Sequence, residues 1–132
     1  MSDANIQVVQ EIYERFRAGD GDGFLARLSD DVCFDHRGPE GTTFNKVYEG
    51  KAAVGEFLGE LAAAEEALVM EDREYFTNGD RVVVLGFMRF RALTTGKEWE
   101  SDFAMAVTVR DGLVTHWRVL FDMSLEANAI NG

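Results

Sequence analysis

The chain has 132 residues, with 13 Lys and Arg against 24 Asp and Glu, so its formal net charge at pH 7 is −11. A surface this acidic repels phosphate backbones and anionic bilayers, which argues against nucleic acids and membranes as partners. The length fits a single domain over residues 1–132 that needs no disulfide to fold, and Cys33 has no second cysteine to pair with.

The first half of the chain has mainly helical periodicity. Apolar residues recur at helical spacing from Asn5 to Ala18, which predicts an amphipathic first helix. Phe24 to Leu28 predicts a short second helix, and Lys51 to Ala64 predicts a third. Between them, Val32 to His36 predicts a short strand. The segment from Arg37 to Gly50 holds the only proline and is predicted to be a loop, long enough to act as a lid.

The residue pattern of the second half of the chain predicts long β-strands. Four runs rich in Val, Phe, Met and Trp are joined by short turns that contain Gly79, Gly96 and Gly112, where glycine supplies the positive φ of tight hairpins. Helices followed by such a meander indicate an α+β fold, with the N-terminal helices packed in the concave face of one strongly curved antiparallel sheet. The predicted strands are Leu68 to Thr77, Arg81 to Leu93, Lys97 to Arg110 and Leu113 to Met123.

Alternation along the strands predicts which side chains face the interior. On the last strand Trp117, Val119 and Phe121 share one parity, and this bulkier set is expected to point inward. The strand from Arg81 to Leu93 is apolar on both faces, although only one face can line an interior. Its second face needs a partner, which predicts a homodimer through the outer face of the sheet.

Three stretches of the sequence resemble the nuclear transport factor two-like superfamily. They are AGDGDGF from Ala18 to Phe24 running on to Val32, YEGKAAV from Tyr48 to Val54, and DGLVTHWRVLFD from Asp111 to Asp122. The resemblance covers nearly the whole chain and implies a cone-shaped, cystatin-like α+β barrel. Members of the superfamily include ketosteroid isomerases, limonene epoxide hydrolases, scytalone dehydratases and SnoaL-like polyketide cyclases. Because the fold hosts unrelated chemistries, it implies no particular reaction.

The same resemblance allows two known catalytic sets to be compared with this chain. The tyrosine and the two aspartates of the ketosteroid isomerases fall on Ile12, His36 and Met105. The triad of the epoxide hydrolases falls on three residues without an ionisable side chain. Neither set is retained, so steroid isomerisation with those oxyanion donors is not expected.

Two residues are candidates for catalysis. His36 falls at the superfamily's base position, where an imidazole can take a proton from a carbon acid or activate water. The alternative is a buried histidine that is hydrogen-bonded to Asp35, Arg37 or a backbone carbonyl. Asp122 corresponds by resemblance to the general base of SnoaL-like cyclases. The alternative is that Asp122 caps the helix that begins at Met123.

An apolar pocket for a small hydrophobic or aromatic molecule is also expected. The same side chains can instead fill a closed core. No cofactor is predicted, and no metal site, because the two histidines lie on separate strands without further ligands. The acidic run from Glu65 to Asp80 is predicted to lie on a solvated helix end and outer strand. The candidate ligand-binding residues are Phe34, Met88, Phe90, Phe103, Met105, Trp117, Val119 and Phe121.

Three functions remain open from the sequence. The first is a cofactor-independent cyclase, isomerase or lyase that acts on an apolar or aromatic ketone-like molecule, with His36 as base and Asp122 as second choice. The second is a non-catalytic protein that binds a small hydrophobic ligand. The third is a dimerisation module whose own side chains fill the cavity. An acidic N-terminal stretch and the lack of a long apolar run predict a cytoplasmic protein without a membrane span.

Overall fold

The structure is a computed structural model that describes residues 2–132. Within this range the chain forms four helices and six strands. The helices are α1 (Ser2–Arg17), α2 (Gly21–Ala26), α3 (Lys51–Ala64) and α4 (Met123–Asn131). The strands are β1 (Leu28–Asp35), β2 (Val47–Glu49), β3 (Glu65–Asn78), β4 (Arg81–Ala92), β5 (Glu98–Arg110) and β6 (Leu113–Leu120). No helix among these residues is both long enough and apolar enough to cross a membrane.

The strands form one curved sheet in the order β2-β1-β6-β5-β4-β3, which stays open between β2 and β3. Helices α1, α3 and α4 pack against this sheet and share a hydrophobic core with it. The predicted α+β architecture is therefore confirmed. One pairing departs from the antiparallel expectation: β1 runs parallel to β6. The difference arises because β1 is placed beside the last strand of the meander, a long-range contact that no local turn signal announces.

The burial pattern of the strands settles their register. Trp117 and Val119 are buried on β6, whereas His116 and Leu120 are exposed on the same strand. The inward parity predicted for β6 is confirmed. A shift of one residue would exchange the two faces and expose the tryptophan, so the observed burial fixes this register.

The starts of α2 and β1 differ from the sequence prediction. The second helix begins at Gly21, three residues earlier than predicted, because the carboxylate of Asp20 caps it by accepting a hydrogen bond from the backbone N–H of Gly23 at 2.9 Å. It ends at Ala26, and the chain enters β1 at Leu28. Residues 28–31 therefore belong to β1 rather than to a helix or turn. The second helix ends at Ala26, two residues earlier than predicted.

The predicted loop from Arg37 to Gly50 contains a strand that the sequence did not show. The strand β2 pairs antiparallel with β1, with Phe34 opposite Tyr48. Three residues are too few to display a two-residue period, which is why the pattern missed it. The pairing leaves residues 36–46 as the connection between β1 and β2.

At Gly86, β4 lies close to atoms of both neighbouring strands. A Cβ atom at this position would overlap the backbone oxygen of Glu71 and the ring of Phe103. Only glycine lets the three strands pack at this point with Phe103 turned inward.

Candidate active site

A cavity of about 80 Å³ lies between the helices and the concave face of the sheet. We call it the inner cavity. Ile12 and Tyr13 of α1 and Phe57 of α3 form part of its wall, and the strands provide most of the rest. Seven of the eight residues predicted to bind a ligand line it, namely Phe34, Met88, Phe90, Met105, Trp117, Val119 and Phe121.

Phe103 is the predicted residue that does not line the inner cavity. It is buried, but its ring stacks on Tyr13, with 6.0 Å between ring centroids and 12° between ring planes. Phe103 therefore lies behind Tyr13 and supports that ring from the side of the sheet.

A second depression, of about 340 Å³, adjoins the inner cavity. We call it the outer depression. Its rim includes the exposed residues Gly19, Gly21 and Gly59, so it reaches the surface between α3 and the α1–α2 turn. Five residues line both spaces, namely Phe16, Phe24, Leu58, Leu61 and Phe90. These apolar side chains form the boundary that a molecule would cross to pass from the surface to the inner cavity.

His36 follows the last residue of β1 and lies in the wall of the inner cavity, 4% exposed. The rings of Phe44, Phe57 and Phe121 surround the imidazole at centroid distances of 6.0, 5.4 and 5.9 Å. Its Nδ1 atom has no hydrogen-bond partner. Burial lowers the pKa of His36 to about 4, and the positive charge of Arg118 acts in the same direction. The imidazole is therefore neutral at pH 7.

Two arginines hold the backbone on either side of His36. Arg37 binds Asp35 through two hydrogen bonds of 3.0 and 2.8 Å. Arg118 donates to the same carboxylate at 3.0 Å and to the carbonyl oxygen of Arg37 at 2.7 Å. The hydrogen bond from Arg37 lowers the pKa of Asp35 to about 2. Asp35 is thus engaged by arginines, and no hydrogen bond joins its side chain to the imidazole.

The segment between His36 and β2 covers the imidazole. Phe44 in this segment has a φ of 57°, in the left-handed region that residues with a side chain seldom adopt. Its ring meets Phe57 edge-on at 5.5 Å between centroids, and the backbone N–H of His36 donates to the carbonyl of Lys46 at 3.0 Å. Such backbone strain clusters at segments that close over sites.

Two buried carboxyl groups, which the sequence analysis did not select, form a further part of this region. Glu126 of α4 is 2% exposed and lines the inner cavity, and Glu65, the first residue of β3, is 3% exposed. The indole N–H of Trp99 donates to Oε1 of Glu65 at 2.6 Å. Burial raises the pKa of Glu126 well above its usual range, and the hydrogen bond to Glu65 and the charge of Glu65 raise it further. Glu126 is therefore protonated at neutral pH.

The prediction that Glu65 lies in a solvated acidic run was wrong. The strand β3 begins at Glu65, three residues earlier than predicted, and pairs it with the buried Ala92. A signal for Glu126 was present in the sequence. It lies three residues after Met123 and four before Ile130, on the apolar face of a short helix, and a carboxyl group on such a face requires a partner.

Unpartnered polar atoms concentrate around the inner cavity. Among the described residues, five buried side-chain nitrogen or oxygen atoms have no hydrogen-bond partner, and four of them belong to this region. Buried polar atoms are nearly always hydrogen-bonded in folded proteins. The four atoms are the hydroxyl oxygen of Tyr13, Nδ1 of His36, Oε2 of Glu65 and Oε1 of Glu126.

Asp122 lies outside the inner cavity. It is exposed and caps α4, and its carboxylate accepts hydrogen bonds from the backbone N–H and the hydroxyl of Ser124 at 3.2 and 2.6 Å. Its position fits the capping alternative, and it helps to hold the helix that carries Glu126. Within residues 2–132, no three His, Cys, Asp or Glu side chains group in a way that suits a metal ion.

A family model and solved structures match the chain. The model of the SnoaL-like domain matches residues 9–117. An NTF2-like protein from Burkholderia xenovorans LB400 is 29% identical, with a TM-score of 0.88 over 99% of this chain and 98% of that chain. TerC, co-crystallised with polyporic acid, is 30% identical, with a TM-score of 0.84 over 98% of this chain and 99% of that chain.

More distant structures share the fold alone. A candidate polyketide cyclase from Xanthomonas campestris pv. campestris is 24% identical, with a TM-score of 0.84 over 98% of both chains. No curated protein matches the chain at a significant level.

Proposed function

Because the chain belongs to the SnoaL-like domain family, we propose that the inner cavity and the outer depression together bind a small apolar or aromatic carbonyl compound. We further propose that His36 is the general base of a cofactor-independent isomerase, cyclase or lyase reaction at this site. The observation that carries the proposal is a neutral imidazole with an unpartnered nitrogen in an otherwise almost wholly apolar wall.

The chemistry requires only one base and a carbon acid. His36 takes a proton from the carbon next to the carbonyl group, the C–H bond breaks, and its electron pair forms the double bond of an enolate. His36 then returns the proton to the same or another carbon, so atoms and charge balance without a co-reactant. A pKa of about 4 for His36 does not prevent this, since the aspartate base of ketosteroid isomerase works with a pKa of about 4.6.

The size of the site limits the ligand. Sites for small molecules have volumes of roughly 300–1,000 Å³, and the inner cavity of about 80 Å³ is smaller than this. The outer depression adds about 340 Å³ at the boundary formed by Phe16, Leu58 and Phe90. A molecule larger than one ring would therefore occupy both spaces. The co-crystal of TerC with polyporic acid supports a ligand site in a protein of this shape.

Hydrogen exchange at carbon tests the proposed base. Small aromatic ketones such as acetophenone are incubated with the protein in deuterated buffer, and loss of the α-proton signal is followed by NMR. We expect catalysed exchange with the wild-type protein, loss of that exchange in His36→Gln, and unchanged exchange in His116→Gln, because His116 is exposed. Equal exchange rates in the wild type and His36→Gln would refute the assignment of His36 as the base.

Ligand binding without catalysis is the second candidate, and the small volume of the inner cavity favours it. Polyporic acid is a suitable probe for a titration followed by tryptophan fluorescence, because Trp99 and Trp117 line the inner cavity. Binding that is blocked by Leu58→Trp at the boundary, with no exchange in any variant, would identify a binding protein. Absence of binding by every probe would favour the third function, a module with a self-filled cavity.

We also propose that a second copy of the chain is a partner through the outer face of the sheet. Leu85, Ala104 and Leu120 stand side by side across β4, β5 and β6, and both leucines are exposed. A self-complementary patch of this kind suits a two-fold interface. Light scattering is expected to give a dimer mass that Leu85→Glu reduces to a monomer mass, whereas Leu93→Glu, an exposed leucine beyond the end of β4, keeps the dimer. A monomer mass for the wild type would refute the dimer.

A further inference from the structure

The carboxyl groups of Glu65 and Glu126 are in direct contact inside an apolar wall. Two carboxyl groups in contact cannot both be ionised without a large cost in free energy. One oxygen of each group, Oε2 of Glu65 and Oε1 of Glu126, lacks any N–H or O–H donor. A single proton held between the two groups would satisfy both oxygens at once.

We propose that Glu65 and Glu126 share one proton at neutral pH and that Glu126 hydrogen-bonds an oxygen substituent of the ligand. The inference rests on the ligand site proposed above and adds a substrate class to it. That class is a planar, conjugated molecule with a hydroxyl or carbonyl oxygen at the end opposite the part that faces His36. The unpartnered imidazole of His36 is a separate observation that points to a ligand in the same cavity.

The arrangement in this class follows from the aromatic side chains of the wall. The ring of Phe121 lies 5.9 Å from the imidazole of His36 and 5.4 Å from the ring of Trp99, centroid to centroid. Trp99 in turn holds Glu65 through its indole N–H. The rings of Phe121 and Trp99 thus lie between the base and the carboxyl pair along the wall. A flat molecule lying along this wall can meet both groups.

The tryptophan gives the two carboxyl groups different surroundings. Trp99 is stacked between Phe90 and Phe121, with ring planes 9° and 14° apart, so its N–H has a fixed direction. This N–H donates to Oε1 of Glu65. Within the described part of the chain, no donor reaches Oε1 of Glu126, which lines the inner cavity, and Glu126 is therefore the group placed to meet a ligand.

The helix that carries Glu126 is fixed at both ends. At its C-terminal end, the hydroxyls of Thr94 and Thr95 donate to the carbonyls of Ile130 and Ala129 at 3.3 and 2.6 Å. At its N-terminal end, the sulfur of Met123 occupies the space that a Cβ of Gly38 would need. Gly38 lies two residues after His36, so α4 contacts the segment that follows the base.

The proton count of the combined site is unchanged over one cycle. As His36 removes the carbon proton, negative charge develops on the conjugated carbonyl oxygen, and the O–H of Glu126 turns from Glu65 to donate a hydrogen bond to that oxygen. The proton stays on Glu126, because its transfer would leave two carboxylates in contact. When His36 protonates carbon, the charge on the oxygen disappears and the O–H returns to Glu65. The pair therefore acts as a hydrogen-bond donor that is restored in each cycle, beside a base whose environment holds its pKa low.

Infrared spectroscopy of the wild-type protein is the first test. At neutral pH we expect the carbonyl stretch of one protonated carboxyl group, which disappears in Glu126→Gln and persists in Glu66→Gln, because Glu66 is an exposed neighbour paired with Arg91. A wild-type spectrum without this band would overturn the shared proton. His36→Gln is expected to keep this band. A variant that loses the catalysed hydrogen exchange but keeps the band therefore tests the role of His36 separately from the shared proton.

Binding of phenol and toluene is the second test, because the two molecules have nearly the same shape and only phenol carries an oxygen. Both fit a cavity for one ring. We expect the wild type to prefer phenol, and Glu126→Met to lose about tenfold or more in phenol affinity while toluene binding is kept, as expected for a lost hydrogen bond to a buried polar group. An unchanged phenol-to-toluene ratio in Glu126→Met would overturn the role of Glu126 and leave the proposal for His36 untouched.

Discussion

Replacing His36 by phenylalanine should remove an acid sensitivity that the wild-type protein carries. The pKa of His36 is about 4 in the folded chain against 6.5 for the free side chain, because burial disfavours the charged form. As the pH falls below about 6.5, the unfolded chain takes up a proton that the folded chain refuses. The stability lost in this way is about 1.4 kcal/mol per pH unit until the pH reaches the folded pKa. At higher pH the imidazole is neutral in both states and the loss vanishes.

The size of this effect follows from the two pKa values. Between about pH 8 and about pH 5 the wild-type protein should lose about 2 kcal/mol of unfolding free energy relative to His36→Phe. Urea unfolding at both pH values, followed by the fluorescence of the buried Trp99 and Trp117, measures this difference. The carboxyl groups titrate in both proteins and cancel in the comparison. His116→Gln should keep the full wild-type acid sensitivity. If the unfolding free energies of the wild type and His36→Phe change by the same amount across this pH range, a buried and neutral imidazole is refuted.

Substitutions at four further positions test the packing and capping that support the site. Gly86→Ala should destabilise the fold by about 1–3 kcal/mol in urea unfolding, since the added Cβ would overlap neighbouring atoms. Gly59→Ala is the matched control, because it lies in the middle of a helix with open space around the added Cβ, and it should stabilise the fold by about 0.5–1 kcal/mol. Trp99→Phe should cost about 1–3 kcal/mol because it leaves an oxygen of Glu65 without its donor, and an unchanged urea midpoint would contradict that bond. Asp122→Ala should cost about 1 kcal/mol through the lost helix cap without abolishing ligand binding, and Asp122→Asn should restore most of the stability.

Local periodicity predicted the parts of the molecule that local contacts determine. The bounds of α3 agree with the prediction at both ends, and the inward parity of Trp117 and Val119 is confirmed. Both follow from an alternation of apolar residues that a few neighbouring positions display in full. The selection of His36 came from the resemblance to the superfamily rather than from periodicity, and the structure places this residue just after β1 in the wall of the inner cavity.

Contacts between distant segments decided what the sequence did not predict. The parallel pairing of β1 with β6 joins residues about eighty positions apart, and no turn connects them. Glu65 is buried because α4 returns across β4 and β5, which brings Glu126 against it. A carboxylate in an acidic stretch looks solvated until the element that covers it is known.

The helix α4 completes the cavity from outside the segment that the family model matches. The match to the SnoaL-like domain covers residues 9–117, which include His36, Glu65 and most of the apolar wall. Phe121 and Glu126 lie beyond that segment, yet they line the same cavity. The matches to the NTF2-like protein and to TerC cover 99% and 98% of the chain, so α4 belongs to the fold that they share. We therefore expect substitutions on α4 to change which oxygen substituent the site binds, while His36, the proposed base, stays in place on the segment before β2.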